Sequence, residues 1–219
     1  MENARSALDL DKLAIDIGVP YSVIPSPDGG KRYDTGWDVV HMVKAVDEIK
    51  KLVNEHDEMD VCGGGPHWLL AAAVCAAYPR LKAYVIPGIP IRAEFVSLGC
   101  GEVSPEGGIE FKKTVAGNKV FIEFRADDPD KPPIYGPHNY DRSLLPKVTV
   151  PDVKENDDLY LKGQGEFSII MNIVNTYCGR CKSINVAGAG VDGYVCVYSA
   201  DDADCAIGDI TRFPSGTES

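Results

Sequence analysis

The sequence predicts an α/β protein made of two similar units in tandem. Short apolar strands alternate with helical segments along the chain, a glycine-rich turn joins a strand to a helix in each half, and further markers recur in the same order. The order strand, helix, strand, helix, strand favours a layered structure in which some strands pair in parallel.

The first half begins with a predicted strand, since LAIDIGV (13–19) alternates apolar and polar residues. From Trp37, apolar residues recur every three or four positions, which predicts an amphipathic helix with Asp34 or Thr35 as its N-cap. MDVC (59–62) is the next predicted strand.

A second helix is expected from Pro66 to about Tyr78, followed by strands in KAYVIPGI and RAEFVSLG. In the second half, KVFIEFRA (119–126) alternates as a strand does, and GQGEFSIIMNIVNTY contains a helix. KSINVAGAG and GYVCVYSA are the last predicted strands.

Four markers occur in both halves, which favours an internal duplication over the chance likeness of two strand–helix units. The matched markers are Gly63 and Gly65 with Gly163 and Gly165, Tyr78 with Tyr177, Ile15 and Ile17 with Ile122 and Phe124, and Gly101-Glu102-Val103 with Gly208-Asp209-Ile210. We therefore expect one unit over residues 1–111, a linker at 112–118 and a second unit over 119–213.

Composition narrows the classes of partner. The chain is 44% hydrophobic, which suffices for a globular core, and its net charge is −11. That charge speaks against binding to duplex nucleic acid, because phosphate recognition needs basic surface. A small anionic ligand held by backbone N–H groups is not excluded.

The chain is expected to be cytoplasmic, without membrane association. Its first residues, MENARSALDLDK, carry no apolar signal segment, and no apolar run approaches the length of about 18 residues that a spanning helix needs. Seven scattered cysteines, an odd number, are typical of thiols in a reducing compartment.

The turn at Gly63–Gly65 joins a predicted strand to a predicted helix, which is the position of a phosphate-binding loop in many α/β proteins. Glycine lets a ligand approach the backbone, and the N–H groups of a first helical turn favour anions. Pro66 fits the first helical position. The motif is neither GxGxxG nor a Walker loop, so a tight turn without a ligand remains an equal interpretation.

The string Gly63-Gly64-Gly65-Pro66-His67-Trp68-Leu69 resembles the Gly-Arg-Gly-Pro-x-Trp-Leu loop of the Csx-three family, small CRISPR-associated proteins of type III systems. In the second half, VTVPDVKENDDLYLKGQGEFSIIMNIVNTY is similar to the family's stretch that contains this loop. DGYVCVYSADDADCAIGDI is similar to the family's closing strand and its Gly-Asp-Val-Ile end.

The resemblance implies two Rossmann-like units that form a covalent pseudo-dimer. It implies binding of a cyclic oligoadenylate, most readily cyclic tetra-adenylate, the second messenger of type III CRISPR antiviral defence. In active family members it also implies manganese-dependent cleavage of the ring, so no cofactor is expected unless the protein is catalytic. Further homo-oligomerisation is left open.

The residues expected to bind the ligand lie at the two turns and at the ends of the helices that follow them. They are Gly63, Gly64, Gly65, Pro66, His67, Trp68, Arg80, Gly163, Gly165, Ser168 and Arg180.

Three of these residue types allow more than one role. His67 is either an acid, base or phosphate contact, or a helix-start histidine without a task. Trp68 either stacks on adenine or packs in the core. Arg80 and Arg180 either grip phosphates or compensate helix dipoles.

The sequence departs from the family where catalysis occurs. The family's His-His pair after the helix is replaced by Pro79-Arg80 and by Cys178-Gly179-Arg180, and its Asp-Pro-Arg by 87–90 and 187–190. Sequestration of the ligand is therefore expected. Cleavage by a substitute residue, His67, is the alternative, and an unrelated metabolite-binding or structural module is a second one.

Other features have ordinary explanations. Glu166 occupies the position of Pro66 in the second turn, where a carboxylate would repel phosphate, so that turn is expected to be structural. The single CxxC, Cys178 to Cys181, lacks the further ligands of a closed zinc site, and the acidic run at 200–205 is expected to be a solvated loop.

Overall fold

The computed structural model describes residues 6–25, 31–85, 92–126, 140–188, 190–200 and 205–213. Within these ranges the chain forms four α-helices: α1 (Leu10–Ile17), α2 (Met42–Asn54), α3 (His67–Ala77) and α4 (Phe167–Tyr177). A 3-10 turn at Val39–His41 leads into α2, and others lie at Pro105–Gly107 and Arg142–Lys147.

The described residues also form fourteen strands. In chain order they are β1 (Ser6–Asp9), β2 (Tyr21–Pro25), β3 (Lys31–Thr35), β4 (Met59–Cys62), β5 (Leu81–Val85), β6 (Arg92–Glu94), β7 (Gly99–Gly101), β8 (Glu110–Ala116), β9 (Lys119–Arg125), β10 (Thr149–Pro151), β11 (Asp158–Gln164), β12 (Ser183–Ala187), β13 (Tyr194–Ser199) and β14 (Ile210–Thr211).

Two sheets share one plan. The first has the order β1-β4-β5-β6, with β1, β4 and β5 parallel and β6 antiparallel. The second has the order β14-β13-β12-β11-β9-β8, in which β9, β11 and β12 are parallel and β13 is antiparallel. In each sheet the central strand, β4 or β11, leads through a glycine turn into a helix, so the protein is a mixed α/β structure as predicted.

Two smaller pairings complete the described strands. β2 and β3 form an antiparallel hairpin, and β7 pairs in parallel with β10, so that Gly99 lies opposite Thr149. The two closing segments that were matched in the sequence, which begin at Gly101 and Gly208, therefore pair with different kinds of strand. Gly101 ends β7, which pairs with β10, whereas Ile210 begins β14, which pairs with β13.

α3 is the centre of the core. It packs on α2, α4 and β13, and its residues Trp68, Leu69 and Leu70 are 1%, 0% and 0% exposed. A helix that is apolar on all sides must be buried on all sides. Buried residues of both halves accordingly form one continuous hydrophobic cluster.

The strand predicted at 13–19 is wrong. Leu10–Ile17 is a helix that buries Leu10, Leu13, Ala14 and Ile17, a spacing of three and four that an alternating interpretation overlooks. Asp9 caps it by accepting bonds from two backbone N–H groups, and Gly18 ends it in the left-handed conformation. Ile15 and Ile17 therefore do not correspond to Ile122 and Phe124, and β1 takes the sheet position equivalent to β9.

The N-cap predicted for the next helix is also wrong. Asp34 and Thr35 belong to β3, and Asp38 caps the 3-10 turn instead, because its side chain accepts from the Val40 N–H at 3.2 Å. The helix predicted from Pro66 to about Tyr78 is confirmed as α3, with Pro66 at the N-cap rather than inside the helix.

The stretch expected to be a linker, 112–118, forms most of β8 and the turn into β9. β8 pairs with β9 along its whole length, from Glu110 opposite Arg125 to Ala116 opposite Lys119. These residues therefore belong to the second sheet.

Candidate functional site

The two glycine turns lie side by side. His67 and Phe167, the first residues of α3 and α4, are in edge-to-face contact, with ring centroids 5.3 Å apart and an interplanar angle of 84°. At the other end of the same helices, the Cys75 and Cys178 sulfur atoms are 3.4 Å apart. The helices therefore run in the same direction with their N-termini together. We call residues 63–67 and 163–167 the paired-turn site.

Gly63 is required by packing inside the chain. Its φ is 98°, and a Cβ there would lie 3.0 Å from the backbone nitrogens of Leu10 and Asp11. Its carbonyl accepts the Tyr84 hydroxyl at 3.0 Å. The first turn of α1 is thus what packs closely against the Gly63 backbone.

Gly64 faces open space, since a Cβ there would meet nothing within 4 Å. Its N–H donates to Asp11 Oδ1 over a long 3.4 Å. Burial raises the pKa of the Asp11 carboxyl, and the bond from Gly64 acts in the opposite direction. Among the three glycines of the first turn, Gly64 is therefore the one with open space beside it.

Gly65 and the second turn are shaped mainly by neighbouring side chains. A Cβ on Gly65 would lie 2.8 Å from Leu69 Cδ2, and one on Gly163 would collide with the Phe124 ring. Gly165 has a φ of 154° and lies against Ala126. Internal packing explains these three glycines, which supports the structural interpretation of the second turn.

Glu166 is paired with an arginine that sequence reasoning missed. Its Oε2 accepts from Arg142 Nε at 2.9 Å and Nη2 at 2.8 Å, and Ser168 Oγ donates to it at 3.3 Å. The Glu166 side chain is only 7% exposed. Arg142 therefore balances the charge of the carboxylate that was expected to repel a phosphate, and whether the second turn is only structural stays a prediction. Ser168 itself is buried and serves this pair.

His67 is a titratable group that lies where the two turns meet. Burial lowers the pKa of its imidazole, so the ring is neutral at neutral pH. A neutral imidazole can accept a proton or donate a hydrogen bond, but it supplies no positive charge.

Phe167, rather than Trp68, offers an aromatic surface. Trp68 is 1% exposed and packs over Gly188, so it belongs to the core. Phe167 is 40% exposed and also contacts the Tyr84 ring at 6.4 Å. The sequence held one signal for it, since Phe167 is the residue equivalent to His67.

Arg80 and Arg180 lie away from the turns, contrary to the expectation. They follow the C-termini of α3 and α4, and an 11-residue helix places them about 16 Å from its first residue. Arg80 Nη1 donates to the carbonyl of Val53, in the last turn of α2, and to the carbonyl of His56, just beyond that helix. Arg180 Nη1 lies 3.1 Å from Cys100 Sγ. Carbonyl compensation at the C-terminus of α2 is thus the role that the contacts of Arg80 support.

The CxxC cysteines do not pair with each other. Cys178 Sγ contacts Cys75 Sγ, whereas Cys181 Sγ points to the Tyr177 carbonyl at 3.6 Å. Among the residues that the structure describes, no group of three or more His, Cys, Asp and Glu side chains is arranged to bind a metal ion. Residues 87–90, Ala189 and most of the acidic run, 201–204, lie outside the described residues.

Comparison with known proteins adds no assignment. No protein-family model matches this chain, and no curated protein matches its sequence significantly. In the described part of the chain, no helix is both long and apolar enough to cross a membrane.

Proposed function

We propose that the protein binds a cyclic oligoadenylate, most readily cyclic tetra-adenylate, at the paired-turn site. In this role it acts in type III CRISPR antiviral signalling as an ancillary protein that sequesters or degrades the messenger. The observation that carries the proposal is the contact between His67 and Phe167, which brings two helix N-termini and two glycine turns to one place.

Electrostatics support an anionic ligand here. Each helix N-terminus carries a partial positive charge and N–H groups without partners in the helix, and two parallel helices add these effects. Arg142 holds the one carboxylate at the start of α4 in an ion pair, which limits its repulsion of phosphate. The overall charge of −11 disfavours a long polyanion more than a small ring.

The symmetry of the fold supports a ligand with repeated units. Both sheets place a glycine turn after their central parallel strand, and this agrees with two Rossmann-like units that form a pseudo-dimer within one chain. A ring of four identical nucleotides can contact the start of α3 and the start of α4 at the same time. The exposed face of Phe167 suits stacking on an adenine.

Ring cleavage is the alternative that His67 favours. A neutral imidazole is in the correct form to accept the proton of a ribose 2′-hydroxyl that attacks its own phosphate. Manganese is proposed only for this alternative.

A module whose turns are purely structural is the second alternative. It is favoured by the packing at Gly63 and Gly163, where neighbouring atoms of the chain already exclude a side chain.

Thermal denaturation with added ligand separates binding of the messenger from a purely structural module. Cyclic tetra-adenylate at a hundredfold excess over Kd should raise the Tm by about 5–10 °C, whereas the cyclic trimer and hexamer should act more weakly. Phe167→Ala should weaken binding about tenfold to a hundredfold, and Tyr21→Ala, an exposed aromatic on the β2–β3 hairpin, should leave it unchanged. No shift with any ring size would leave the structural module as the remaining explanation.

A further inference from the structure

Cys196 and Cys205 form a close pair of thiols that the proposed function does not use. Cys196 lies in β13 and is 0% exposed, and Cys205 is half-buried in the segment before β14. Their sulfur atoms are 2.9 Å apart. A disulfide requires about 2.05 Å, so a movement of under one ångström would join them.

The backbone holds this pair in place. The Cys196 N–H donates to the Asp209 carbonyl at 2.9 Å, and the Gly208 N–H donates to the Cys196 carbonyl at 2.9 Å. β14 then pairs with β13 through Ile210 and Val195. The segment from Gly208 to Ile210, just after Cys205, is therefore held against β13, and Cys196 and Cys205 can reach each other without a change in this pairing.

We propose that Cys196 and Cys205 are a dithiol site that hydrogen peroxide oxidises to a disulfide, which a thiol reductant returns to the two thiols. Cys205 reacts first because it is the more exposed thiol. Its sulfur attacks one peroxide oxygen, the O–O bond breaks, and water leaves with the Cys205 proton, so that Cys205 becomes a sulfenic acid. Cys196 Sγ then attacks the Cys205 sulfur and the S–O bond breaks. The departing hydroxide takes the Cys196 proton as a second water.

The order of the two steps follows from their surroundings. Burial, together with the contact to Cys205, raises the pKa of the Cys196 thiol, which keeps it protonated and slow to meet an oxidant on its own. Its position against Cys205 makes it the resolving thiol, because a sulfenic acid formed on Cys205 has a nucleophile already in contact.

A second pair in the same chain serves as an internal comparison. Cys75 and Cys178 have sulfur atoms 3.4 Å apart between α3 and α4. Cys75 is half-buried, as Cys205 is, and Cys178 is 3% exposed. Because the Cys75 and Cys178 sulfur atoms are farther apart than those of Cys196 and Cys205, this pair should stay reduced under conditions that oxidise Cys196 and Cys205.

The test is hydrogen peroxide treatment of the reduced, full-length protein, followed by alkylation of remaining thiols, proteolysis and mass spectrometry. The expected product is one cross-linked peptide that joins Cys196 to Cys205. A closed loop of about ten residues should raise the Tm by about 5–10 °C, and dithiothreitol should reverse the shift.

Variants make the assignment specific. Cys205→Ser and Cys196→Ala should each abolish both the cross-link and the Tm shift, and Cys75→Ala should retain both. The unsubstituted protein gives the mass-spectrometric readout even if Cys196→Ala folds poorly. Irreversible over-oxidation of Cys205 without a cross-link, a disulfide elsewhere, or unreacted Cys205 would each overturn the proposal.

Discussion

Two adjacent glycines in the first turn should differ strongly in how much stability the same substitution removes. Gly63→Ala places a methyl group at φ 98°, 3.0 Å from two backbone nitrogens of α1 that cannot rotate away. Strain at a positive φ costs about 1 kcal/mol, and overpacking against rigid atoms adds about 1–3 kcal/mol. The free energy of unfolding should therefore fall by about 2–4 kcal/mol. Gly64→Ala meets nothing within 4 Å and should change it by under about 1 kcal/mol.

Scanning calorimetry and urea denaturation measure this difference directly. For a chain of 219 residues, the Gly63 substitution should lower the Tm by about 4–16 °C, and the Gly64 substitution should leave it nearly unchanged or slightly higher. Equal shifts in the two variants would contradict the placement of α1 against the turn. Cyclic tetra-adenylate should still bind Gly64→Ala, because the backbone N–H is retained.

Three further predictions concern charge at the paired-turn site. Gly64→Glu should weaken the binding of cyclic tetra-adenylate about a hundredfold, as measured by calorimetry, whereas Gln164→Glu should change the affinity little. Equal losses of affinity in the two variants would mean that both turns hold the ligand equally. Because the pKa of His67 is lowered in the folded state, its contribution to the free energy of unfolding is fully present above the unfolded-state pKa of about 6.5. This contribution is lost as the pH falls towards the folded-state pKa. His67→Phe should flatten the loss of Tm between pH 7.5 and 5, and an unchanged slope would refute the assignment. Arg142→Ala should reduce the free energy of unfolding, measured in urea, by about 2–3 kcal/mol, because the substitution leaves the buried Glu166 carboxylate without its partner. Adding Glu166→Gln should restore part of this stability. A double variant no more stable than Arg142→Ala would argue against the ion pair.

Local sequence patterns predicted most helices and strands well. They failed where a segment fits both the two-residue period of a strand and the 3.6-residue period of a helix. KVFIEFRA (119–126) became β9, in which buried residues alternate with more exposed ones, and the short apolar run MDVC (59–62) became β4, which is buried along most of its length. LAIDIGV fits both a strand and a short helix, and Asp9 and Gly18 decide for the helix. Those two caps were visible in the sequence and carried more information than the alternation did.

The candidate site was predicted only where its residues are close in sequence. The two turns were found from their glycines, but their proximity depends on packing between α3 and α4, which no local pattern encodes. Arg142 reaches Glu166 across 24 residues and follows a segment without helical periodicity. Arg80 and Arg180 were placed at the site through a chemical role alone, whereas the length of the helices separates them from it.

The single core shared by the halves has a consequence for how the site behaves on dilution. Two separate subunits that each supplied one turn would part at low protein concentration, and their ligand would be released with them. Here Trp68 of one half packs over Gly188 of the other, and the Val96 N–H of the first half donates to Asn172 of the second at 2.6 Å. Because one polypeptide carries both turns, their effective concentration is set by the fold itself. The paired-turn site therefore persists at protein concentrations so low that two separate subunits would dissociate.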